Sequence, residues 1–136
     1  MRRIMRGVAV LAAAGLMVLA GACSDDVVEP PIPGMLLVSF ATTTTDDDAV
    51  LLKVTGPGIQ SVGATNSVHE VFWRLASESE AHVIVLGGLA GGPLVTVEVP
   101  DVRNATEYTA TVMDVSARSD AVREQLSGYQ ATVARF

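Results

Sequence analysis

From residue 35 onward the chain repeats one pattern. Short runs alternate apolar with polar positions, and stretches rich in Gly, Pro, Asp, Asn or Thr separate them. Val95, Val97 and Val99 fall on one side of such a run, Thr96 and Glu98 on the other. Tyr108, Ala110 and Val112 likewise oppose Thr109, Thr111 and Met113. A period of two is the signature of a half-buried strand, and the enrichment in Val, Thr and aromatics supports it. The pattern predicts strands at 35–41, 48–55, 68–75, 82–87, 93–99, 107–115 and 128–135. No segment carries a long helical period. Only 120–126 is ambiguous, compatible with a short helix or a bulged strand. Seven short strands at this spacing predict an all-β fold, a single small antiparallel β-sandwich spanning 35–136. Residues 42–48 (TTTTDDD) read as a polar loop, 56–63 as a turn region around Gly-Pro-Gly, and 87–93 (GGLAGGP) as a glycine-rich turn.

The first 34 residues have another character. Arg2, Arg3 and Arg6 precede an uncharged apolar run, 7–22, that ends in small residues. A basic start, an apolar segment and a small-residue end are the parts of an export signal, here a helical signal peptide over 1–22. The run is shorter than the roughly 20 residues a spanning helix needs. It ends Leu19-Ala20-Gly21-Ala22-Cys23-Ser24, which resembles the lipobox of bacterial lipoproteins, with Ala20 where that family usually has Leu. The resemblance implies cleavage before Cys23, lipidation of its thiol and anchoring to a membrane of the bacterial cell envelope. Ser24 rather than Asp after the cysteine implies sorting to the outer membrane in a diderm organism. Residues 23–34 then comprise the lipidated Cys and a Pro-rich acidic tether. Pro30, Pro31 and Pro33 favour extended geometry, enough for a stand-off of about 30 Å.

Charge narrows the choice of partners. Removing 1–22 takes three of the nine basic residues and none of the fifteen acids, so the mature net charge is six minus fifteen, or −9. Such a surface repels phosphate backbones, which argues against nucleic acid. Cys23 is the only cysteine, so no intramolecular disulfide can form.

Candidate chemistry is sparse. Asp46, Asp47 and Asp48, with Asp101 from another loop, supply oxygen ligands of the kind Ca²⁺ takes. They lack a calcium-loop spacing, and a solvated loop accounts for them. His69 and His82 lie on strands that could be neighbours, but two histidines do not complete a zinc site. No Gly-x-Ser-x-Gly elbow is present. The GGLAGG turn lacks the Gly-Lys-Ser/Thr end of a phosphate loop. The residues thus predict neither an enzyme nor a resident cofactor or metal. Trp73 or Tyr129 could serve as a sugar platform if exposed. Phe72 and Trp73 should point to opposite faces, one into the core and one outward.

Two family likenesses attach to the domain. Val102-Arg103-Asn104-Ala105-Thr106-Glu107-Tyr108-Thr109-Ala110-Thr111-Val112 resembles the E–F corner and F strand of fibronectin type III domains. It implies a structural role for Tyr108 as a tyrosine corner. The strand–glycine turn–strand rhythm of 82–99, and 48–55 after its polar loop, are similar to cohesin-like and carbohydrate-binding sandwiches. Both imply an immunoglobulin-like or cohesin-like sandwich that binds rather than catalyses. The expected role is a non-enzymatic protein-interaction or adhesion module, with carbohydrate binding as the alternative. Loops on a rigid scaffold commonly carry contacts. The candidate contact residues are therefore Asp46, Asp47 and Asp48 in one loop and Gly88 and Gly91 in the other.

Overall fold

Alternation along each run becomes two faces of a sheet, and two such sheets close on each other. The computed structural model describes residues 28–136, so the expected signal peptide and Cys23 lie outside the described residues. Eight strands form: β1 (Gly34–Ala41), β2 (Asp47–Thr55), β3 (Ser61–Ala64), β4 (Glu70–Ser77), β5 (Glu80–Leu86), β6 (Gly92–Val99), β7 (Thr109–Ala117) and β8 (Gln130–Arg135). One sheet has the order β3-β6-β1-β8 and the other β4-β5-β2-β7. Every pairing is antiparallel. The pairs are nested: β1 with β8, β2 with β7, β3 with β6 and β4 with β5. Nesting of this kind is found in double-sheet jelly rolls. The expected all-β sandwich is therefore the fold.

The core is the inward half of the alternation. Leu36, Val38 and Phe40 from β1 meet Val50, Leu52 and Val54 from β2, Val83 and Val85 from β5, and Val95, Val97 and Val99 from β6. All are essentially inaccessible. Each such side chain contributes roughly 1.5–3 kcal/mol on leaving water. Leu94 and Val95 are both buried although adjacent, because the β1–β6 register shifts between Val38 and Ser39.

Two expectations change. Residues 56–63 were expected as turn alone, yet Ser61–Ala64 forms β3 against β6. Four residues with Gly63 among them give too short a run for alternation to register. Segment 120–126 is neither helix nor bulged strand. Asp120 sits at φ 62, a left-handed turn, and one isolated bridge, Ser116 to Val122, is all its pairing. Arg123 is drawn away to Asp46 and Asp47, which takes the backbone out of a regular path.

Chain direction sorts the connections. Strands β1, β3, β5 and β7 run one way, and β2, β4, β6 and β8 return. The β1–β2, β3–β4, β5–β6 and β7–β8 loops therefore gather at one end. The opposite end holds the start of β1, the β2–β3 and β4–β5 turns, the 3₁₀ segment Val102–Glu107 and the C-terminus. At that end Tyr108 is buried, and its hydroxyl donates to the Pro57 carbonyl. Its ring lies over Gly56, where an added Cβ would come 2.2 Å from Tyr108 Cδ1 and where φ is 151. Only glycine fits both demands. Tyr108 is thus structural, and it ties its strand to the β2–β3 turn.

Candidate functional site

The site begins with a buried charge. Asp47 opens β2 and is 0% exposed, the one buried charged residue among those described. A carboxylate there must be fully bonded to be tolerated. Thr42 Oγ1 donates to Oδ2 at 3.0 Å, and the Thr44 hydroxyl also donates to Oδ2. Tyr129 Oη and Arg123 Nε donate to Oδ1 at 3.0 and 3.1 Å. Burial alone would push the Asp47 carboxyl up. The bonds from Thr44, Thr42, Tyr129 and Arg123 outweigh it and hold the group below its ordinary value. Arg123 Nη2 also holds Asp46 Oδ1 at 2.6 Å. One aspartate thereby fixes the β1–β2 loop and the irregular 118–129 connection to each other.

Above this hub the two expected loops meet. Thr42, Thr43, Thr44 and Thr45 from β1–β2 and Gly88, Leu89, Ala90 and Gly91 from β5–β6 line an open cleft of about 330 Å³, joined by Arg118. Two backbone bonds hold the loops together: Gly87 N donates to Asp48 O and Leu89 N to Asp47 O, both at 2.9 Å. Leu89 is buried as an apolar peg beneath the cleft. Gly88 and Gly91 present backbone to its surface. His69 lies beside it, its Nε2 3.2 Å from the Gly88 carbonyl, with a buried Nδ1 that has no partner among the described residues. Arg118 donates its backbone N–H to Asp46 O, and its guanidinium makes no ion pair among the described residues. Threonine hydroxyls, open glycine backbone and one unpaired guanidinium suit hydrogen bonding to a polar or acidic surface.

The candidate residues separate accordingly. Gly88 and Gly91 line the cleft, and Asp46 and Asp48 are exposed near it. Asp47 is removed from the contact surface, because its oxygens are consumed internally. The calcium alternative fails on geometry: Asp101 sits at the opposite end, capping Val102–Glu107 and paired with Arg103 at 2.8 Å. No group of three His, Cys, Asp or Glu among the described residues could hold a metal. His82 lies opposite Arg74 in the β4–β5 pair, while His69 precedes β4 at the loop end, so the two do not meet. Arg118, Arg123 and Tyr129 are the residues that sequence reasoning did not bring here, and no local spacing marks them.

A second surface is the outer face of the β4-β5-β2-β7 sheet. Phe72, Ile84 and Leu51 stand in one cross-strand row, and Arg74, His82 and Lys53 in the next. Leu51, Phe72, Trp73, Arg74, His82 and Ile84 line a shallow groove of about 360 Å³ there. Phe72 and Trp73 do point to opposite faces, but neither enters the core; they are 56% and 37% exposed. Tyr129 is not free for a sugar, being stacked 5.7 Å from Phe40 and bonded to Asp47. Comparison with protein families, with curated proteins and with solved structures returns no match.

Proposed function

We propose that this chain is a lipid-anchored protein of the bacterial cell envelope, tethered through Cys23. In this reading the sandwich is a non-enzymatic binding module that meets a protein partner through its loop end. The observation that supports it is the sorting of connections. The described tether joins β1 at one end of the sandwich, and the cleft of 42–45, 88–91 and Arg118 opens at the other. An anchor at the tether end presents the cleft away from the membrane, where a partner can reach it. The carbohydrate alternative loses one of its two aromatic platforms, since the half-buried Tyr129 is stacked on Phe40 and bonded to Asp47.

The test is site-specific photo-crosslinking in intact cells. A photoreactive residue at Thr43 or Ala90 should give a discrete protein adduct, and one at Glu78, in the β4–β5 turn of the opposite end, should not. A parallel Cys23→Ser chain should leave the detergent-soluble membrane fraction and lose the adduct. Equal labelling from both ends, or a Cys23→Ser chain that still partitions with membranes as the wild type does, would sink the reading.

A further inference from the structure

The β4 edge of the β4-β5-β2-β7 sheet differs from the β3 and β7 edges. Strand β4 pairs with β5 on one side only, so its other side carries free N–H and C=O groups. Sheet edges are normally protected by short strands, bulges, prolines or inward charges. Strand β3 is only four residues long, and β7 is bulged in its register with β2. Strand β4 keeps a regular register with β5 from Glu70 to Leu75, and its irregularity comes only after Leu75. Over that stretch its inner face is apolar and its outer face sets Phe72 between Glu70 and Arg74. Phe72 lies on the outer face. Val71, Trp73 and Leu75 lie on the inner one, where Trp73 and Leu75 remain 37% and 47% exposed.

The stretch Glu70-Val71-Phe72-Trp73-Arg74 is also its own complement. Residues opposite each other in an antiparallel pair must share a face, because side chains alternate with a period of two. A two-fold axis through Phe72 meets that condition. It sets Phe72 against Phe72 of the second copy, Val71 against Trp73 on the inner face, and Glu70 against Arg74 on the outer face. The last two pairings each occur twice. Glu70 and Arg74 make no ion pair among the described residues, so both charges are available. Shifting the axis to Trp73 keeps the faces but puts Arg74 against Phe72 and leaves both Glu70 charges uncompensated. An isologous contact of this kind is closed by its own symmetry and leaves no further β4 edge exposed.

We infer that β4 is a self-association edge: two copies of this chain pair β4 to β4 about a two-fold axis at Phe72, joining two four-stranded sheets into one of eight. The inference does not depend on the loop-end reading, since β4 offers its backbone at the side of the sandwich and the cleft lies at its end.

Charge reversal tests it on the full chain in detergent, by sedimentation over a range of protein concentrations. The wild type should sediment as a dimer. Glu70→Arg and Arg74→Glu each place like charges opposite one another twice, and each should weaken dimerisation by about tenfold or more. The double variant Glu70→Arg/Arg74→Glu restores both pairs and should recover the dimer, which separates lost pairing from lost folding. In membranes, Phe72→Cys should form an intermolecular disulfide under mild oxidation, with the wild type, whose only cysteine is Cys23, as control. A wild type that stays monomeric throughout, a double variant no better than either single one, or cross-linking through Trp73→Cys in place of Phe72→Cys each overturns the proposal.

Discussion

Asp47 shows how one residue can be both the costliest and the most binding in a small fold. Four donors converge on its two oxygens, two from the β1–β2 loop and two from the 118–129 connection. Asp47→Asn removes the charge that these donors are arranged around, and should cost about 2–3 kcal/mol in urea unfolding. The pH dependence has a definite sign. The folded carboxyl lies below its ordinary value of 3.8. Its contribution is therefore complete above that value and is lost as pH falls through the lower, folded one. The gap between wild type and Asp47→Asn should be constant at neutral pH and narrow only below about pH 4. A gap that is already closing at pH 6 would mean that another group carries the effect.

Among the elements, the 3₁₀ segment Val102–Glu107 does the least regular work. Asp101 caps it by accepting from Arg103 N at 3.0 Å, and the same carboxylate holds the Arg103 side chain. The hydrogen bonds from Arg103 and the burial that opposes them leave the Asp101 carboxyl well below the usual carboxylate range. Arg103 then reaches across to Glu29 Oε2 at 2.7 Å and to the carbonyls of Glu29 and Pro30. Val102 N donates to Ile32 O at 2.9 Å. The last residues of the Pro-rich stretch are thus fastened to the sandwich, which shortens the length available for stand-off. Arg103→Ala should raise the rate of proteolytic cleavage within 28–34 about fivefold to tenfold, while the sandwich keeps its unfolding midpoint within about 1 kcal/mol. An unchanged cleavage rate would show that the Val102 bond suffices. Seven of the eight strands were legible because each is long enough to show its alternation. Strand β3 was not, since a four-residue run with a glycine carries no period. The cleft was half legible. Thr42 to Thr45 and Gly88 to Gly91 announce themselves as loops, but their meeting depends on strand order. Arg118 and Arg123 join only through a connection whose path is set by Asp46 and Asp47, some seventy residues earlier in the chain.

At the scale of the molecule, polar and apolar surface are unevenly shared. Four exposed large apolar side chains, Phe72, Trp73, Leu75 and Ile84, gather on the β4 side. The cations Lys53 and Arg74 stand there too, in a chain that is otherwise acidic. The loop end is built differently, from hydroxyls and glycine backbone. One molecule therefore offers two surfaces with different chemistry, and occupation of one leaves the other open.

The position of β1 has a mechanical consequence. It starts where the tether attaches and ends at Ala41, beside Thr42 on the rim of the cleft. Eight residues of strand span about 26 Å, close to the longest reach a backbone allows. A pull between the tether and the 42–45 loop meets a cable that is already taut. A pull against the 88–91 loop instead slides β1 along β6, loading all their hydrogen bonds together. A pull between the two termini acts from a single end and opens β1 from β8 one bond at a time. Force spectroscopy with handles at the tether and at Ala90 should therefore record a higher rupture force than handles at the tether and at Phe136; equal forces would rule out β1 as the strut. Under the proposed anchoring, a load between the tether and a partner at the cleft acts along the direction in which the weave resists best.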